Sequence, residues 1–134
     1  MTSRRGEACP DGCQGVHSTT ADGVRWCWRP DGGAPAAIDV ELRREPPPHL
    51  ASRLRSDEDF WLAWTRLEVV AKLTDTPVVT LLGAGALGSP APAGITVRHV
   101  ERGDAVLCLG RKMGGATPRR RTTPRAAARR SRGA

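Results

Sequence analysis

Three of the four cysteines and one of the three histidines lie between Cys9 and Cys27, the only window in this chain where a metal site can be assembled locally. The run Cys9-x3-Cys13-x3-His17 places two thiols and an imidazole on one short stretch. Pro10-Asp11-Gly12 and Gln14-Gly15 supply the tight turns that let neighbouring ligands converge. Cys27 sits inside Val24-Arg25-Trp26-Cys27-Trp28-Arg29, whose alternation puts Trp26 and Trp28 on one strand face. Cys27 shares the other face with two arginines, which favour its thiolate. The pattern therefore predicts a closed zinc site of Cys9, Cys13, His17 and Cys27. With no position left open, such a site is structural rather than catalytic, and in a small domain it supplies a large share of folding free energy. The plain alternatives are three reduced thiols beside a surface histidine, or disulfides. The spacing matches no ferredoxin-like iron–sulfur run.

The charge divides the chain in two. Of the net +7, residues 111–134 contribute nine basic side chains and no acidic one, while residues 1–110 carry twelve basic against fourteen acidic. The division predicts a disordered leader over 1–8 and a single α+β domain over 9–110, with the knuckle at 9–27. An Arg-rich tail over 111–134 cannot bury enough apolar area to order itself. Arginine outnumbers lysine nineteen to two, amid abundant Ala, Gly and Pro. That bias follows from GC-rich coding and points to a high-GC bacterium or one of its phages. The opening Met1-Thr2-Ser3-Arg4-Arg5 has no apolar run after it, so a cytoplasmic location and reduced cysteines are expected. Residues 76–97 are uncharged, but Pro77, Pro90 and Pro92 break them up, and a buried strand followed by a loop suits them better than a membrane span.

Read in order, Val24–Arg29 is a first strand, and Ile38, Val40 and Leu42 alternate with Asp39, Glu41 and Arg43 in a second. The two are expected to pair as a hairpin. Pro46-Pro47-Pro48 acts as a stiff spacer. Ser56 is expected to cap a helix in which Phe60, Ala63/Trp64, Leu67 and Val70/Ala71 form the apolar face and Thr65, Glu68 and Lys72 the polar one. Thr76-Pro77 ends it. Val78–Leu82 reads as a buried strand. Ile95–Val100 and Ala105–Leu109 read as a hairpin over the four-residue turn 101–104. The expected architecture is a small antiparallel sheet of two hairpins and one strand, packed on one main helix. Trp26 and Trp28 on the sheet should then meet Phe60, Trp64 and Leu67.

The run Cys9-Pro10-Asp11-Gly12-Cys13-Gln14-Gly15-Val16-His17 resembles the N-terminal signature of an uncharacterised family of small actinobacterial proteins. Their pattern is Cys-Pro-x-Trp-Cys with a histidine a few residues on, followed by strands and then a helix. The likeness covers residues 9–45 at most, and Gly12 stands where the family has Trp. It implies an organism group and a metal site, and no activity.

Two other patterns are weaker. Gly83-x-Gly85-x-x-Gly88 matches the dinucleotide fingerprint in letters, but Ser89-Pro90-Ala91-Pro92 leaves no room for the helix that the mechanism requires, so no dinucleotide is expected. His99 and Cys108 share a hairpin face, yet neither has an orienting partner or oxyanion donor in view, and no catalytic residues are assigned. The tail arginines Arg119, Arg120, Arg121, Arg125, Arg129, Arg130 and Arg132 suit non-specific contact with DNA or RNA phosphates. No aromatic residue lies among them to stack a base. The functional expectation is a non-enzymatic accessory protein with a structural zinc-like site and a tail that touches nucleic acid. The alternative is a protein-interaction adaptor of phage or mobile-element origin.

Overall fold

The computed structural model describes the backbone of residues 2–4 and all of residues 15–113. Two three-stranded antiparallel sheets and one long helix make up this part. The first sheet has the order β1-β3-β2, from Thr2–Arg4, Arg25–Trp28 and Val16–Thr19. The second has the order β4-β6-β5, from Ala36–Leu42, Ala105–Lys112 and Ile95–Arg102. Between β4 and β5 lie α1 (Pro48–Ala51), α2 (Phe60–Thr74) and α3 (Val78–Gly83). The α+β class and the main helix agree with the sequence reading; the strand pairing does not.

The expected hairpin of the first two strands does not form. Residues 16–19 are themselves a strand, and β3 pairs with it in the register Val16↔Trp28, His17↔Cys27, Ser18↔Trp26. The local reason is Thr20-Ala21-Asp22-Gly23, a tighter closure than the Pro30–Pro35 loop. Thr20 N donates to the Val24 carbonyl at 3.0 Å, and Gly23 takes φ +81°. Ladder pairing then favours the nearer partner, since the loop that must close is shorter. Strand β4 is left to pair with β6, from Ala36↔Arg111 to Leu42↔Ala105.

Strand β6 is the centre of its sheet, and its run Ala105-Val106-Leu107-Cys108-Leu109-Gly110 is buried on both faces. Toward α2, Val106 and Cys108 pack with Val69, Val70, Leu73 and Leu67. Away from it, Ala105, Leu107 and Leu109 pack with Ile38, Val40 and Trp26, under the first sheet. The second sheet therefore separates the two tryptophan pairs that were expected to meet. Trp26 and Trp28 lie on the side of the first sheet, and Phe60 and Trp64 on the helix side.

In α2 the cap is Asp59, not Ser56. Its carboxylate accepts from Trp61 N at 3.0 Å and Leu62 N at 3.1 Å, satisfying two of the helix's orphan donors. Trp61, rather than Trp64, is the deeply buried indole. It is 4% exposed, stands edge-on to Phe60, donates Nε1–H to the Arg44 carbonyl at 2.9 Å, and lies 4.3 Å below the Arg44 guanidinium. Thr65, expected on the polar face, is completely buried. The helix ends at Asp75 in the left-handed conformation, φ 49°.

Val78–Gly83 is helix, not strand. Val78, Leu81 and Leu82 fall at helical spacing onto the Phe60–Trp61 cluster, while Val79 stays 71% exposed. A short apolar run is ambiguous between strand and helix by periodicity alone. Here Pro77, placed before the first turn, supplies the carbonyl that Thr80 N and Leu81 N reach. The β5–β6 turn has two central residues, Gly103 and Asp104, with φ +55° at the glycine, as a hairpin turn with glycine first requires. The pairing therefore shifts, and His99 lies directly opposite Cys108. β6 also extends to Lys112, so the sheet claims the first two residues of the stretch read as tail.

At Gly110 a Cβ would stand 2.2 Å from Val69 Cγ1 and 3.2 Å from Leu73 Cδ1, so β6 and α2 meet there without room for a side chain. Gly110→Ala should lower stability by about 1–3 kcal/mol through overpacking, read as a reduced urea midpoint. Gly33→Ala, where a Cβ meets nothing, should leave the midpoint nearly unchanged.

Candidate functional site

Of the four predicted metal ligands, Cys9 and Cys13 lie outside the described residues, as do the seven tail arginines Arg119 to Arg132. The other two are brought together. His17 and Cys27 face each other across the β2–β3 pair, with His17 Nδ1 3.1 Å from Cys27 Sγ. They sit on the face opposite Trp26, as the alternation predicts. Strand β1 flanks Cys27 on its other side, in the register Thr2↔Cys27. As donors, an imidazole nitrogen and a sulfur at this separation suit zinc chemically. Cys27, however, is disulfide-bonded, so the sulfur becomes a metal ligand only on reduction. Among the described residues no group of three or more His, Cys, Asp or Glu side chains converges on a metal position.

A second arrangement was legible only in part: His99 and Cys108 were expected on one hairpin face, and Asp39 was not expected with them. Asp39, Cys108 and His99 occupy one rung across the second sheet, since Cys108 pairs with Asp39 on β4 and with His99 on β5. All three side chains face α2, and the helix answers each of them. His99 Nε2 lies 3.0 Å from the Leu62 carbonyl and 3.2 Å from Thr65 Oγ1. Thr65 donates its own proton to the Trp61 carbonyl at 2.8 Å. These partners assign the imidazole proton to Nε2, and burial lowers the pKa of His99. Cys108 is 0% exposed, and burial pushes its thiol up to about 12, far from thiolate at neutral pH. An acid, a thiol and an imidazole in one row suggest a nucleophilic triad by composition alone. The geometry instead makes it a polar seam between sheet and helix, with the imidazole proton committed to the helix backbone and the sulfur sealed.

Asp39 is the most costly member. It was expected on a solvated strand face, but it is 7% exposed because α2 covers that face. Lys72 reaches across to donate to the Ile38 carbonyl at 2.7 Å and lies 3.5 Å from Asp39 Oδ1, while Oδ2 has no hydrogen-bond partner. Desolvation raises the Asp39 pKa to about 7 despite Lys72, and Glu68 and Glu41 push it the same way. One signal was available in the sequence. The unbroken apolar run of β6 requires cover on both faces, so its neighbour β4 could not have kept a wet face at Asp39.

The glycine pattern does not sit in a strand–turn–helix unit. Gly83 closes α3, Gly88 has φ +95°, and every strand pairing among the described residues is antiparallel. A Cβ on Gly88 would stand 2.9 Å from Ser56 Oγ and 3.1 Å from the Arg55 amide, so this glycine serves close backbone approach. His49 lies exposed in α1. No helix among the described residues is long and apolar enough to cross a membrane. Compared with protein-family models, with curated proteins and with solved structures, the chain finds no match.

The raised Asp39 pKa fixes the sign of a pH effect. The unfolded carboxyl ionises near 3.8 and the folded one near 7. The stability that the neutral form lends is therefore full below about pH 4 and is lost as pH rises toward and through 7. Asp39→Asn should match the wild type at pH 4 and become more stable than it by pH 8, by on the order of 4 kcal/mol at most. Urea titrations of both proteins across this range check it; parallel stability curves would contradict the assignment.

Proposed function

We propose that this chain is a small non-enzymatic accessory protein. In its reduced state Cys9, Cys13, His17 and Cys27 hold a structural zinc, and the tail arginines from Arg119 to Arg132 contact DNA or RNA without sequence preference. The observation that carries the metal half is the approach of His17 Nδ1 to Cys27 Sγ on a directly opposed strand pair. A rigid two-stranded ladder there presents two ligands from one rung, and Cys9 and Cys13 precede it by few enough residues to reach it. The disulfide at Cys27 is then the oxidised form of the same knuckle. A reducing cytoplasm favours the zinc form.

The nucleic-acid half is supported by the charge division. Residues 1–110 are net −2, and nine basic side chains with no acid follow. A non-catalytic role is supported by the sealing of Cys108 and by the commitment of His99 to the helix backbone. The slightly acidic first 110 residues favour a second reading, an adaptor of phage or mobile-element origin that binds a protein and no nucleic acid. The actinobacterial likeness of residues 9–17 belongs to the proposal as an expected origin.

Metal analysis of protein purified with reductant and without chelator should give one zinc per chain. Cys27→Ser or Cys13→Ser should lose it, and wild type without stoichiometric zinc would refute the metal site. Replacing the seven tail arginines by glutamine should remove salt-sensitive retention on immobilised DNA. Retention that survives the replacement would exclude the tail as the contact.

A further inference from the structure

We propose that the cleft between β3 and the outer end of the β5–β6 hairpin binds single-stranded nucleic acid, with Trp28 as the stacking surface and Arg98 and Arg111 as the phosphate partners. The cleft measures about 290 Å³ and is lined by Trp28, Thr96, Val97, Arg98, Leu109 and Arg111. Register makes it one surface. Thr96 pairs with Arg111 and Arg98 with Leu109, so these four side chains share the face of the second sheet that looks toward the first. Trp28 packs part of its indole on the cluster of Trp26, Ile38 and Leu109 and turns its remaining surface to the cleft. That half-buried footing holds the ring rigid while leaving area for a base, which is how stacking platforms are built.

The charge is one-sided. No acidic side chain lines the cleft. Arg98 is exposed and makes no ion pair among the described residues. Arg111 donates to the Asp31 carbonyl, which holds its guanidinium at the rim without neutralising it. Of the other described arginines, Arg43 pairs with Asp59 and Glu101, Arg44 with Glu41 and Arg66 with Glu58, while Arg25, Arg29, Arg53, Arg55 and Arg102 make no ion pair among the described residues. What sets the cleft apart is an indole beside two such guanidinium groups. A base on the indole flanked by two unneutralised guanidinium groups satisfies both parts of the cleft. An acidic peptide would satisfy the charge and leave the ring unused. In the sequence, Arg111 is followed at once by Lys112, and further arginines come from Arg119 onward. The tail supplies charge with no aromatic, and the cleft supplies the ring. This inference rests on the nucleic-acid half of the proposal above and not on the metal.

The test uses the full chain, titrated by anisotropy with a fluorescein-labelled oligothymidylate of about 20 nucleotides and with a duplex of the same length. The single strand should bind more tightly than the duplex, by about fivefold or more, and should quench tryptophan fluorescence. Trp28→Phe, which keeps an aromatic ring in the core, should lose most of the quenching. Arg98→Ala, a surface change with no packing role, should weaken the single strand by about fivefold and the duplex by less. With the seven tail arginines replaced by glutamine, both affinities should fall while the preference for the single strand persists. Equal affinity for strand and duplex, with Trp28 and Arg98 variants unchanged, would overturn the cleft and leave the tail contact standing. Competition by polyglutamate as effective as by oligothymidylate would also overturn it, as would absence of DNA binding at low salt, which would remove the tail contact too.

Discussion

The structure depends on one strand having both faces covered. β6 contributes an unbroken apolar run to the middle of a three-stranded sheet, and water must be kept from both sides of it. Helix α2 closes one side through Val69, Leu73 and Leu67. The first sheet closes the other through Trp26, with Trp28 and Val16 beside it. Everything else follows from that sandwiching. β4 is drawn to β6 instead of to β3, the tryptophan pairs are divided, and a carboxylate, a thiol and an imidazole are trapped under the helix. Gly110 is the point of closest approach and Asp39 the point of greatest electrostatic cost. The seam tolerates that cost because Lys72 and the Leu62 carbonyl meet its outer members, while Cys108 in the centre behaves as a small apolar group.

Much of the local structure was legible in the sequence, and the long-range pairing was not. The α2 helix, the β5–β6 hairpin and the alternation of Trp26 and Trp28 follow from periodicity within single segments. The caps were misplaced by three residues because Ser56 and Asp59 offer the same chemistry, and only the geometry shows which carboxylate or hydroxyl faces the first-turn amides. Val78–Leu82 was misassigned because four apolar residues around Thr80 fit either period. Strand β2 was hidden by the cysteine motif, which drew attention to Val16 and His17 as part of a knuckle and away from Val16–Thr19 as a ladder.

The candidate chemistry shows the same division. His17 opposite Cys27 is a local consequence of alternation plus one tight turn, and the ligand types alone pointed to it. The Asp39–Cys108–His99 rung required knowing which strands are neighbours, information that no single segment contains. The rung also shows why residue composition is a poor guide to catalysis. The three side chains of a nucleophilic site stand in line, yet burial drives the thiol away from its reactive form and the helix backbone occupies the imidazole. The two surfaces proposed above for function lie at the periphery, at the knuckle face of the first sheet and at the arginine-bordered cleft beside Trp28.

The central claim, that β6 is sealed between helix and sheet and its thiol thereby withdrawn from chemistry, is tested most directly by alkylation of Cys108. Native protein is exposed to excess iodoacetamide and modification at Cys108 is followed by peptide mass spectrometry over time and urea concentration. Cys108 should be modified only as fast as the whole domain unfolds, with the same urea dependence as global unfolding. Modification in the absence of urea at the rate of an exposed thiol would contradict it.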